Sequence, residues 1–449
     1  MPSPIVRAAL AACLAMAAAC GSAVAGPHEE ALAAWYRGDF AEVLRITRPL
    51  AAEGDARAQF ALGFLYAHGQ GVRRNDALAA QWFRRAADRG DADAQANLGF
   101  MFAQGRGVPR NDMQAVWWYQ KAAKQDHAAA RAHLGHMFAN GLGVRRNETM
   151  AVALYRKAAD QGNADAQTNL GHMYDTGRGV PRNLAEALRW YRKAADHGHP
   201  AAQFNLGSMF LLGHGVPSND AEAFKWFQEA AFQGHAAGQF NIAYMYAAGR
   251  GVTPDLEEAV AWYRDAADQG DVRAQTNLAF MIAQGLGAPP DLEAAANWYR
   301  RAADHGFAEA QYRLGRALDE GQGVRVDDRE AVAWYRKAAE QGHAGAQSAL
   351  GGMYATGQGV PRDDALAVWW YRLAAEQGHA EAQHSLGFMY AEGRGVKRDA
   401  AEAQRWYALA ATRLAGEDTA PEAIDMVHER AAASFGPPQL AQTPQLGQK

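Results

Sequence analysis

Cysteine is nearly missing from the 449-residue chain: there are two, Cys13 and Cys20, both among the first 25 residues. Beyond Cys20 nothing remains from which to build a disulfide staple, a thiolate metal site or a cysteine nucleophile. An excess of one charge is missing too. Lys and Arg number 45 against 49 Asp and Glu, a formal net charge of −4, and without a concentrated basic face the chain is not expected to bind nucleic acid. Long apolar runs are absent. The run from Ala8 to Cys20 falls short of the ~20 residues that cross a bilayer, so no membrane span is expected. Recognisable catalytic motifs are also absent: there is no His-Glu-x-x-His, no Gly-x-Ser-x-Gly and no Ser-x-x-Lys. His133 and His136 share a helical face, with His172 one repeat away, yet no cysteine or close carboxylate completes a zinc-type set. The expectation is a chain with no metal, no cofactor and no catalytic residues.

What is present begins with an address. Arg7, the apolar run and Ala23-Val24-Ala25 ahead of Gly26 have the layout of a secretory signal over residues 1–25, cleaved after Ala25. The expected location is periplasmic or secreted. Cys20-Gly21-Ser22 leaves a second reading open, in which a lipid on Cys20 anchors the protein to the outer membrane.

One 36-residue unit is then repeated ten times. Gln59, Gln95, Gln167, Gln203, Gln239, Gln275, Gln311, Gln347 and Gln383 keep this spacing, with Arg131 the departure. A small residue follows four positions on, as at Gly63, Gly99 and Gly135, with Ala243 and Ala279 standing in twice, and a tryptophan column runs from Trp82 to Trp406 with Leu154 as its exception. Within a unit, Ala94, Leu98, Met101 and Phe102 form the apolar stripe of a first helix, helix A. Gly105 is placed to stop it in the left-handed conformation. The column of Asn111 is Asn or Asp in every copy, an N-cap for helix B, and Glu186, Glu222, Glu258, Glu330 and Glu402 stand where a capping box would be completed. The small residue of the Gly99 column is expected to let the Trp and Tyr of helix B lie against helix A. A hairpin of this kind buries its apolar face only by stacking on its neighbours.

The fold class expected is therefore all-α, a right-handed superhelical α/α solenoid of ten helical hairpins with capping helices. Its expected parts are the signal (1–25), a degenerate N-terminal capping pair (26–55), the repeats (56–415), a C-terminal capping helix (416–435) and a disordered tail (436–449). The pattern Ala-x-Ala-Gln-x-x-Leu-Gly-x-Met-Tyr-x-x-Gly-x-Gly-Val, followed by Ala-x-x-Trp-Tyr-x-x-Ala-Ala-x-x-Gly and read at 164–196 and 344–378, resembles the Sel-1-like repeat, a relative of the tetratricopeptide repeat. The resemblance implies a non-catalytic scaffold or regulator of the bacterial envelope that binds a protein or peptide along helix A. It also leaves open a part in exopolysaccharide production, with a hydrolase as a weaker third reading.

In such hairpins helix A lines the concave wall, and the positions outside its packing stripe are the candidates for contact. Asn97, Phe100 and Asn169 occupy these columns, as do Phe204, Asn205, Phe240, Asn241, Tyr244, Asn277 and Phe280. Asparagine offers donors and acceptors to an extended peptide, and aromatic rings offer anchors. The competing reading is that the asparagines cap or bridge helices and the rings pack between them. Loop residues including Arg74, Arg106, Arg110, Arg146, Arg178, Arg182 and Arg394 make a basic edge, open to anionic polysaccharide or to plain solvation.

Overall fold

The structure is a computed structural model that describes residues 26–417, with side chains through Thr412. The expected signal segment, the Cys20 lipid site, nearly all of the expected C-terminal helix and the tail lie outside the described residues. Among the described residues there are 22 helices and no strand. Two compact units divide at Ala202 and Gln203, within the helix Pro200–Leu212.

The first unit opens with α1 (Pro27–Arg37) and α2 (Phe40–Glu53). Four hairpins follow, α3/α4 (Ala56–His68, Asp76–Asp88), α5/α6 (Ala92–Gln104, Asp112–Lys124), α7/α8 (Ala128–Asn140, Glu148–Asp160) and α9/α10 (Ala164–Thr176, Leu184–Asp196). The second unit takes up α11 (Pro200–Leu212) and α12 (Asp220–Phe232). It continues through α13/α14 (Ala236–Ala248, Leu256–Asp268), α15/α16 (Val272–Gln284, Leu292–Asp304), α17/α18 (Ala308–Glu320, Asp328–Glu340), α19/α20 (Ala344–Thr356, Asp364–Glu376) and α21/α22 (Ala380–Glu392, Ala400–Glu417). Each unit is a solenoid in which every hairpin packs on the next.

The hairpin closes by local chemistry. Helix A stops at a left-handed glycine, Gly105 at φ 69°, and helix B starts where the Asn111 side chain accepts from the amide of Gln114 at 3.0 Å, a cap worth ~1 kcal/mol. The expected capping boxes do not form, because the N-cap amide is already used: Asn183 N–H donates to Tyr174 O at 2.8 Å and Asp255 N–H to Tyr246 O at 3.0 Å, tying helix B to the tail of helix A. Glu186 and Glu222 turn instead to Arg189 and Lys225.

The Gly99 column acts through tyrosine rather than tryptophan. A Cβ on Gly99 would sit 2.8 Å from the Tyr119 ring, and one on Gly171 2.8 Å from Tyr191. Glycine in mid-helix costs ~1 kcal/mol, which the buried ring offsets. Tryptophan faces the other way. Lys337 stands over the Trp334 ring at 3.7 Å and Arg85 over Trp82 at 4.4 Å, a cation at the next helical turn covering each ring.

Stacking between hairpins rests on three repeated devices. The Gln95 Nε2 donates to Ala87 O at 3.1 Å, on the helix B before it, and its Oε1 accepts from Gln125 Nε2 at 2.9 Å, at the C-cap of the helix B after it. The same pair of bonds recurs at Gln239, Gln311 and Gln347. The second glycine of each loop touches backbone: a Cβ on Gly107, at φ 66°, would lie 2.1 Å from the Asp76 carbonyl oxygen of the preceding hairpin. The arginine between the glycines reaches the same place, Arg106 bonding Asp76 at 2.9 Å and Arg394 bonding Asp364 at 2.6 Å.

Candidate helix A interface

The sites expected on helix A fall into two sets, one per unit. In the first unit, Asn97 is half-buried and donates to the carbonyl of Asp93 on its own helix at 2.8 Å. Phe100 lies 6.3 Å from the His133 ring, which in turn stacks on Tyr119 at 5.2 Å. Desolvation pushes the His133 imidazole down to about 4, against the opposing charge of Asp165. His172, 3% exposed, has neither ring nitrogen hydrogen-bonded within the chain. Desolvation, with the Arg178 charge adding to it, also holds His172 at about 4. Asn169 is half-buried beside them in sequence.

In the second unit the strip separates into a floor and a surface. Asn205, Phe240, Asn241 and Tyr244 are buried, at 8%, 2%, 1% and 4% exposure, while Phe204, Asn277 and Phe280 are half-buried and form the surface. Phe240 packs on Tyr263 at 5.7 Å under the Arg273 guanidinium at 4.3 Å, and Asn241 donates to Ala237 O at 2.7 Å. Phe204 meets Phe227 at 5.7 Å and His235 at 5.1 Å. Asn277 donates to the Tyr263 hydroxyl at 3.0 Å, leaving its own carbonyl oxygen with no partner in the chain. Phe280 carries the Arg313 guanidinium at 5.4 Å.

Sequence reasoning missed these arginines. Arg273 and Arg313 each follow the ring they cover by 33 residues, a spacing visible in the sequence once it is looked for between adjacent repeats. It also missed the double use of the histidine column. His127, His343 and His379 cap helix A through Nδ1, as a polar helix start, and the Nε2 of His127, His199 and His343 bonds an acidic residue one repeat back, Asp93 at 3.1 Å, Asp165 at 2.9 Å and Glu309 at 2.8 Å. Burial alone would raise the Glu309 carboxyl. The His343 hydrogen bond and the Arg313 charge overcome that and hold it at about 2.

The basic edge is largely spent inside the fold. Asp76 receives both Arg74 and Arg106, Glu148 both Arg146 and Arg178, and Asp364 both Arg362 and Arg394. The paired arginine hydrogen bonds hold the Asp364 carboxyl well below the ordinary carboxylate range. No group of three His, Cys, Asp or Glu among the described residues is placed to hold a metal ion, and none of the described helices is long and apolar enough to cross a membrane.

This geometry agrees with the comparison to known proteins. The Sel1 repeat model matches ten consecutive segments, from 56–91 through 380–413. The chain belongs to the Sel1 repeat family. It is similar to a protective antigen of uropathogenic Escherichia coli with an SLR fold, at 32% identity over 95% of this chain and 96% of that one, with a TM-score of 0.69. A Sel1 repeat protein of Oxalobacter formigenes is 38% identical over 69% of this chain and 89% of that one, with a TM-score of 0.51. No curated protein matches the chain. Sel1 repeat proteins generally mediate protein–protein interaction, and the scaffold is typically non-catalytic. In Sel1 terms, the conserved-looking frame of this chain is occupied with stacking, and its helix A surface columns are what differ from repeat to repeat.

Proposed function

We propose that the protein is a non-catalytic interaction scaffold or regulator of the bacterial envelope. It acts in the periplasm or outside the cell after cleavage near Ala25, and takes a protein or peptide on the helix A columns of its second unit. The observation that supports this reading is the surface of Phe204, Asn277 and Phe280. There, two rings half-open to solvent and a half-buried asparagine stand in the contact columns of α11 and α15. An extended peptide laid along these helices covers the rings. The polysaccharide alternative draws on the loop arginines, and their pairing with Asp76, Glu148 and Asp364 leaves it less charge to use.

The test is capture from an envelope extract by the wild-type protein and by a Phe204→Ala, Asn277→Ala, Phe280→Ala variant, with circular dichroism on both. A partner retained by wild type and reduced at least tenfold in the variant at equal helicity is the expected outcome. Undiminished capture by the variant would remove the helix A site.

A further inference from the structure

The tenfold repeat contains its own control for which side chains a following hairpin covers, and the last hairpin fails that control. In the column of Phe388, Phe64 and Tyr244 are buried at 7% and 4%, whereas Phe388 is 43% exposed. Ala411 is exposed where Ala303, Ala339 and Ala375 are at 2% or less. His384 is exposed where Phe240, Thr276 and Ser348 are buried. Composition changes at the same place. Leu409, 40% exposed, occupies the column that holds Lys121, Lys157, Lys193 and Lys337 in earlier hairpins, and Ala408 the column that holds Arg300, Arg336 and Arg372. Leu373 already fills the first of these columns one hairpin earlier, but only the last hairpin, which has no successor in the repeat, carries an apolar residue in both.

We propose that this end face of α21 and α22 is the docking surface for the chain's own segment Thr419–Phe435. The segment follows α22 directly. It opens Thr419-Ala420-Pro421-Glu422, with threonine at an N-cap, proline within the first turn and glutamate three residues after the cap. Ile424, Val427, Ala431 and Phe435 then recur at three- and four-residue steps, with Glu422, Asp425 and Glu429 on the other side, and Gly436-Pro437-Pro438 closes the pattern. Folded as a helix, these 17 residues would span about 25 Å at ~1.5 Å per residue, enough to cover the 13-residue helix α21. The opposite end of the repeat is covered in the same manner, by α1 and α2: Trp35 is 4% exposed and packs edge-on against Phe64 at 5.4 Å. A solenoid needs a polar outer face at each end to stay monomeric, and the acidic side of 419–435 supplies one.

Hydrogen exchange of the full chain tests this, comparing wild type with Ile424→Asp/Val427→Asp and with the opposite-face variant Asp425→Ala/Glu429→Ala, each also followed by sedimentation. The expected result is that amides of α21 exchange at least tenfold faster in the first variant alone, while wild type sediments as a monomer. Equal exchange in wild type and the Ile424/Val427 variant overturns the proposal, as does equal acceleration by both variants. A concentration-dependent dimer abolished by Phe388→Asp but untouched by Ile424→Asp/Val427→Asp overturns it in favour of a second copy as the occupant.

Discussion

The two units are built on one frame and fill their helix A columns with opposite chemistry. In the first unit the Asn97 and Phe100 columns turn to histidine at His133, His136 and His172, all three held below their ordinary pKa, chiefly by desolvation. In the second unit the same columns hold Asn241 and Asn277, then Arg313 and Arg316, the two arginines paired with Glu309 and Glu320 at 2.7 Å. The frame is indifferent to this change because its stacking contacts lie elsewhere, in the Gln ladder and the loop glycines. Stability should therefore respond alike in both units to damage in the frame and differently to pH.

The largest effect is expected where the frame itself is broken. Gly107 and Gly287 both have positive φ, and a Cβ on either would lie 2.1 Å from a carbonyl oxygen of the preceding hairpin, Asp76 in one case and Leu256 in the other. Left-handed backbone costs an L-residue ~1–2 kcal/mol before any overlap is counted, and overpacking adds ~1–3 kcal/mol. Gly107→Ala and Gly287→Ala should each cost about 3 kcal/mol or more, by similar amounts, in the exchange protection of their own unit. A cost confined to one unit would show that the frame is not shared.

A smaller effect, falling at different pH in the two units, is expected from acid. A histidine with its folded pKa near 4 and its unfolded pKa near 6.5 contributes stability that is present above pH 6.5. That stability is lost as pH falls toward 4, because the unfolded chain takes up the proton first. His172 at 3% exposure should account for about 2 kcal/mol of this loss, less than the full shift at ~1.4 kcal/mol per unit. Glu309 behaves otherwise: its stabilisation is present above the unfolded value near 4.5 and is lost only as pH falls through about 2. Between pH 6.5 and 4.5 the first unit should lose protection while the Glu309 region of the second does not. His172→Phe, a residue the same column accepts at Phe100 and Phe280, should flatten the loss. An unchanged pH profile in that variant would move the acid sensitivity to other groups.

The frame was legible in the sequence and the wall was not, for a physical reason. N-caps, left-handed glycines and the Gln column are fixed by contacts that repeat every 36 residues, so each states its role ten times over; Asn111 and Gly105 do what their columns implied. Whether Asn241 faces a ligand or its own helix depends on neighbours that occur once. Its bond to Ala237 O and the guanidinium over Phe240 come from one particular pairing of adjacent repeats. The Trp and Tyr columns were equally regular, and regularity could not say which of the two the small residue admits; the distance to the Tyr119 ring does.

The smallest effect tests a place where the first unit departs from the glutamine ladder and the loop glycines. At the end of the second repeat Asp126 replaces the loop glycine seen at Gly90 and Gly162, and at φ 63° it is the one non-glycine with positive φ among the described residues. Arg131 replaces the ladder glutamine and pairs with Asp126, while Gln161 donates to the Asp126 carbonyl at 3.1 Å instead of to a glutamine oxygen. The two departures compensate each other, so they should be coupled. Asp126→Gly alone relieves the backbone but strips a largely buried guanidinium of its carboxylate, and should destabilise. Asp126→Gly with Arg131→Gln restores the ladder seen at Gln203 and Gln233 in the second unit, where the side-chain amide bond measures 2.7 Å. The double variant should gain about 1 kcal/mol over wild type, the sum of a relaxed φ and a hydrogen bond to an uncharged partner. Additive behaviour of the two single substitutions in a thermal double-mutant cycle would refute the coupling.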